Sequence, residues 1–126
     1  MQRKIQVTEI AELLSQPDGY DSIIDVRSPS EFHEDHIPGA INLPVLSDQE
    51  RAEVGTIYAR VDPFTARKRG AVLTSQNIAQ HIFTLSDYGK DWKPLIYCWR
   101  GGQRSGSLAL VMHEIGWGVT LLQGGY

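Results

Sequence analysis

Leu95-Ile96-Tyr97-Cys98-Trp99-Arg100-Gly101-Gly102-Gln103-Arg104-Ser105-Gly106-Ser107 is the stretch that decides the fold. Here a short apolar run meets the only cysteine of the chain and passes into a loop of paired glycines flanked by arginines. Pro94 opens the run, and Leu95 to Tyr97 suit a buried strand. Beyond Ser105 the spacing of Leu108, Val111, Met112 and Ile115 is helical. The segment therefore reads as strand, loop, helix, with Cys98 at the strand's carboxyl end. In parallel α/β sheets ligands bind beyond that end, where the following helix turns its unpaired N–H groups toward the loop.

The chemistry of the loop follows from its residue types. Gly101 and Gly102 let successive backbone amides converge on an anion, while Arg100 and Arg104 add full positive charges. The same field favours a thiolate over a thiol at Cys98. A cysteine that merely fills the core needs no such loop, and burying that much polar backbone without an anion or water is unfavourable. Cys98 is therefore expected to be the nucleophile. Trp99, Arg100, Gly101, Gly102, Gln103, Arg104 and Ser105 are expected to form the loop that binds a substrate oxyanion, with Trp99 as a packing residue. Asp25 and Arg27, at the end of a neighbouring strand, could line the pocket, while an internal ion pair or a helix-cap contact explains them as well.

Working outward, Ile5 to Val7 reads as an edge strand, and Thr8 as the cap of a helix through Leu14. Ser22 to Arg27 forms a buried parallel strand, after which Ser28-Pro29-Ser30-Glu31 restarts a helix with a cap and an early proline. His36 to Pro44 gives a turn and a short strand, with His36 expected to hold the turn. Ser47-Asp48-Gln49-Glu50 has the capping-box pattern, and Val54, Ile57, Tyr58 and Val61 make a helical stripe that Asp62-Pro63 ends. The next helix is expected from about Ala71 to Leu85. Gly116 closes the helix after the central loop, and Val119 to Leu122 makes a last strand. Alternating strands and helices imply a three-layer α/β/α fold around a mainly parallel sheet of about five strands.

The 126 residues suit a single domain, 1–126, and one cysteine excludes an internal disulfide or a multi-cysteine metal site. His33, His81 and His113 have no metal-site spacing, so no metal and no bound cofactor are expected. The N-terminus lacks an apolar signal region and no run is long enough to span a bilayer, which points to a cytoplasmic protein with no membrane partner. A net charge of −3 argues against a domain that holds nucleic acid by bulk electrostatics alone, leaving only local basic patches. The one such cluster is Arg60, Arg67, Lys68 and Arg69, which a solvated helix-turn surface explains.

Asp25-Val26-Arg27-Ser28-Pro29-Ser30-Glu31-Phe32, continuing to His36-Ile37-Pro38-Gly39-Ala40-Ile41-Asn42-Leu43-Pro44, resembles the N-terminal signature of rhodanese-like domains. Glu50-Arg51-Ala52-Glu53-Val54-Gly55-Thr56, the Cys98 loop and Gly124-Gly125-Tyr126 resemble more closely the N-terminal rhodanese domain of the tRNA 2-selenouridine synthase family. The resemblance implies a Cys98 that carries sulfur or selenium as a persulfide or perselenide, in the conversion of wobble 2-thiouridine to 2-selenouridine. The implied donor is selenophosphate or a thiosulfate-like oxyanion, with Arg104 clamping it, and the implied partner is tRNA through the full-length enzyme. That family also carries a C-terminal P-loop domain, associated with prenyl diphosphate and tRNA handling. This chain has no Gly-x-x-x-x-Gly-Lys-Ser/Thr, so it reads as an excised fragment or a stand-alone relative.

Two other classes compete. Arg104 lies six residues after Cys98, one more than is usual in simple thiosulfate sulfurtransferases, and Cys-x5-Arg is the spacing of rhodanese-related phosphatases. Tyr97 stands where such phosphatases commonly have histidine, and no aspartate can be assigned as the leaving-group acid. A non-catalytic binding module would tolerate loss of the cysteine, which is retained here.

Overall fold

The computed structural model describes residues 5–15, 17–98 and 104–122. The sheet is built from β1 (Gln6–Thr8), β2 (Ser22–Asp25), β3 (Ile41–Asn42), β4 (Pro94–Tyr97) and β5 (Thr120–Leu122). The helices are α1 (Ile10–Ser15), α2 (Pro29–Glu34), α3 (Asp48–Arg60), α4 (Pro63–Leu85) and α5 (Arg104–Ile115), with a 3-10 turn at Pro17–Gly19. The strands lie in the order β1-β5-β4-β2-β3, and every pairing is parallel.

That order, with right-handed crossovers, sorts the helices. The chain steps across the sheet one way from β1 to β2 to β3 and back the other way through β4 to β5, so the first and second sets of connections cover opposite faces. The side chains agree. Along β4, Ile96 and Cys98 pack with Ile78 and Leu85 of α4 and Leu108 and Met112 of α5. Leu95 and Tyr97 point the other way, into a smaller cluster with Leu13 of α1. Period-2 alternation on a strand buried on both faces thus separates two cores, and the expected three-layer fold with a five-stranded sheet stands.

Local chemistry sets most element boundaries. Ser28 and Ser47 begin α2 and α3 with reciprocal capping boxes to Glu31 and Glu50. Gly116, at φ +119°, ends α5 in a conformation that a side chain would strain. Thr8, expected as the cap of α1, is instead the last residue of β1 and donates its hydroxyl to Glu12 at 3.0 Å.

The larger correction concerns Asp62-Pro63. It does end α3, but it also starts α4 at once, so α4 runs from Pro63 rather than from about Ala71. The Asp62 carboxylate accepts from the Thr65 amide at 2.7 Å and from its hydroxyl at 2.8 Å, while Pro63 occupies a first-turn position that needs no N–H donor. The expected stripe on α3 divides as well. Val54 and Ile57 are half-buried, whereas Tyr58 and Val61 are exposed, because α3 packs on α4 and not on the sheet.

The double role of Asp62 generates a prediction. Asp62→Ala should lower stability by about 1 kcal/mol, the typical effect of losing an N-cap. Equilibrium urea unfolding checks this, and an unchanged midpoint would show that α4 does not depend on the cap.

Candidate active site

Cys98 follows β4 directly and is only 1% exposed, packed within the larger core. Its Sγ lies 3.1 Å from the hydroxyl of Ser105, itself buried in the first turn of α5. Two residues that the sequence assigned to one site thus meet across the loop, and the sulfur faces the amino-terminal end of a twelve-residue helix. Either atom of this contact can act as the donor, and Ser105 sits where the helix leaves its first backbone N–H groups without intrahelical partners. Trp99, Arg100, Gly101, Gly102 and Gln103 lie outside the described residues, as does Gly124-Gly125-Tyr126.

Arg104 opens α5, and Glu31 of α2 holds its guanidinium. Arg104 donates from one terminal nitrogen to Glu31 at 2.8 Å and from the other at 3.3 Å. The same carboxylate accepts from the Ser28 amide at 3.1 Å and hydroxyl at 2.9 Å, and Arg51 of α3 stands 3.6 Å away. One carboxylate therefore joins α2, α3 and α5 at the sheet's carboxyl edge. Burial alone would raise the Glu31 carboxyl, but the hydrogen bonds from Arg104 and Ser28 and the charge of Arg104 outweigh it and hold the group at about 2. Beside it, Asp48 accepts from the Ser30 hydroxyl and amide, which keeps Asp48 below the usual carboxylate range.

Asp25 and Arg27 are both buried and paired with each other at 2.8 Å. Arg27 also donates to the carbonyl of Asp35, and Asn42 donates to the carbonyls of Asp25 and Arg27. Of the readings the sequence left open, the structure shows the internal ion pair, which fastens the end of β2 to the segment leading into β3. On the same face the Tyr97 hydroxyl accepts from the Ile37 amide at 3.0 Å, and burial pushes its pKa up so that it stays neutral. His36 stacks on Phe32 and approaches the Phe32 carbonyl through Nδ1 at 2.7 Å, a contact to α2 and not to the turn that follows it.

Sequence reasoning missed Glu31. Its signal was present in Ser28-x-x-Glu31, a capping-box spacing, but spacing gives no hint of a partner at Arg104, 73 residues on. No group of acidic, histidine or cysteine side chains among the described residues could hold a metal ion. No described helix is long and apolar enough to cross a membrane.

Comparison with known proteins adds to this geometry. The rhodanese-like domain family matches residues 7–126. A tRNA 2-selenouridine synthase of Nitrosomonas europaea is 38% identical over 106 residues, covering 82% of this chain and 28% of that protein. One from Salmonella arizonae is 40% identical over 106 residues, covering 82% and 29%. The chain thus spans less than a third of the length of these curated relatives. The crystal structure of the N-terminal domain of a Clostridium difficile 630 protein, described as ATP/GTP binding, aligns with a TM-score of 0.77 at 35% identity, over 96% of this chain and 93% of that one.

The depressed Glu31 carboxyl makes stability depend on pH in a defined direction. Its folded pKa of about 2 lies below the ordinary 4.5, so the stabilisation is fully present above about 4.5 and is lost as pH falls toward 2. At most about 3 kcal/mol is at stake. Glu31→Gln should flatten the acid limb between those values and lower stability at neutral pH by about 1–3 kcal/mol. Urea unfolding across a pH series reads both, and parallel profiles for the two proteins would refute the assignment.

Proposed function

The chain belongs to the rhodanese-like domain family, and from that premise we propose that it transfers sulfur or selenium through Cys98 in the conversion of 2-thiouridine to 2-selenouridine in tRNA. The observation that carries this reading is the meeting of the sole cysteine with Ser105 and the start of α5, within a chain similar to part of the tRNA 2-selenouridine synthases. Net transfer suits such a site, since a thiolate is the nucleophile and the helix end with its loop supplies donors for an oxyanion.

With thiosulfate as donor, the Cys98 thiolate attacks the outer sulfur. The donor's S–S bond breaks and its electron pair leaves with sulfite. Cys98 keeps the transferred sulfur as a persulfide anion, which an acceptor later removes. Selenophosphate, the donor that the tRNA reading calls for, presents the same kind of tetrahedral oxyanion; its selenium is already at the selenide level, so it binds as a selenide source whose Se–P bond ends in phosphate, and it forms no perselenide on Cys98 by itself. Arg104 supports the cradle from the first turn of α5, using N–H groups beyond the two given to Glu31. Full conversion of the tRNA base draws on a further P-loop domain, and the reaction belongs to the cytoplasm, where a thiolate survives.

The phosphatase alternative needs an acid to protonate the leaving group. Glu31, the carboxylate bound to Arg104, is held ionised near neutral pH and has no proton to give. Aryl phosphate hydrolysis should accordingly be negligible. Incubation with thiosulfate followed by intact-mass measurement should show a one-sulfur adduct on the wild-type chain and none on Cys98→Ser. Arg104→Lys should slow loading about tenfold or more, because an ammonium reproduces neither the planar grip on Glu31 nor that on an oxyanion. Robust Cys98-dependent phosphate release without any adduct would overturn the reading.

A further inference from the structure

α4 leads into the start of β4 and α5 into the start of β5, so both helices end at the amino edge of the sheet, opposite Cys98. Between those ends lies a hollow of about 330 Å3, lined by Ile82 of α4, Ser86 just beyond it, Ile115 of α5, Trp117, Tyr88 and Lys90. Aromatic contacts build its wall in advance. Tyr88 stacks on Trp92 at 3.9 Å, Trp117 meets the same ring edge-on at 5.1 Å, and the Trp117 indole N–H donates to the Tyr88 carbonyl at 3.3 Å.

A single apolar side chain exposed on a helix is ordinary, whereas a contiguous group of them marks a contact surface. Phe83 is 80% exposed, more than any other large apolar side chain among the described residues. It lies one helical turn before Ser86, so its ring projects at the rim of the hollow. Ile115 and Tyr88, which line the hollow, are themselves 51% and 44% exposed, and Val111 lies exposed one turn before Ile115 on α5. A cavity of about 150 Å3 suffices for benzene, so the hollow has room for a phenyl group.

The charges follow the same pattern. Lys90 stands at the hollow, and Asp87 lies four residues beyond Phe83. Both are exposed, and among the described residues neither pairs with another charge. A surface that bears both a knob and a hole for it, and charges of both signs, is complementary to itself, which is what a two-fold interface requires. We propose that this face pairs two copies of the chain about a two-fold axis. Phe83 of each copy enters the hollow of the other, against Tyr88 and Ile115, and carries Asp87 to the partner's Lys90. Pairing removes the apolar rings from water and leaves both Cys98 sites open at the far edge of the sheet. It does not depend on the transfer reading.

Sedimentation velocity on the 126-residue chain, from micromolar to millimolar concentration, tests this. The expected result is a mass that rises with concentration from one chain to two and stops there, because a two-fold contact closes on itself. Phe83→Ala should raise the dissociation constant of the pair about tenfold or more, the effect of losing a central aromatic anchor. The folding control is made at low concentration, where wild type and variant are both single chains and should melt alike, since Phe83 then lies mostly in water. Asp87→Lys should separate the copies, and adding Lys90→Glu should bring them together again. A chain that stays single up to millimolar concentration would overturn the proposal, whatever other molecule fills the hollow. So would a dimer indifferent to Phe83→Ala, or a double charge variant that pairs no better than Asp87→Lys alone.

Discussion

Every strand of this sheet runs parallel, and that constraint governs the rest of the molecule. A parallel pair cannot be joined by a tight turn, so each strand must leave the sheet at its carboxyl end and return over a face. The turns that lead into helices therefore gather along one edge. The starts of α2, α3 and α5 meet there, although they are separated widely in sequence. Cys98 lies at that edge because β4 ends there, and Ser105 reaches it because α5 starts there.

Glu31 exploits this gathering. Within its own turn it completes the capping box with Ser28, and across the edge it ties down Arg104 and approaches Arg51. In a capping box the carboxylate serves the N-cap amide, and Glu31 does so for Ser28. Here the partners are a buried hydroxyl and a guanidinium at the start of the helix beside the cysteine, so local capping and site geometry are fixed by the same group. The Asp25–Arg27 pair does comparable work one layer deeper. It satisfies two buried charges against each other and holds the backbone that leads into α2 and β3.

Family membership and site geometry bear on different questions. The match over residues 7–126 and the identities of 38–40% establish what kind of domain this is. The arrangement around Cys98 adds where the chain's sole cysteine stands, against Ser105 at the start of α5. α3 packs on α4 and buries no residue of its own, whereas α4 contributes Ile78 and Leu85 to the larger core.

The sequence by itself determined the element order, the fold class and the position of Cys98 between a buried strand and a helix. It also marked the starts of α2 and α3 and the end of α5. These depend on short-range rules: which residues alternate, which cap, which tolerate a positive φ. It misjudged the start of α4, since Asp62-Pro63 serves equally as a stop for one helix and a start for the next, and only the packing of α4 on α3 and the core distinguishes them. It likewise could not say that Tyr58 and Val61 face outward, because periodicity reports a face and not what covers it. Tertiary structure alone decided that Glu31 pairs with Arg104 and that the Ile37 amide donates to Tyr97, 60 residues away. The physical reason is that such pairs arise from the order in which parallel strands are laid side by side, which no local spacing encodes.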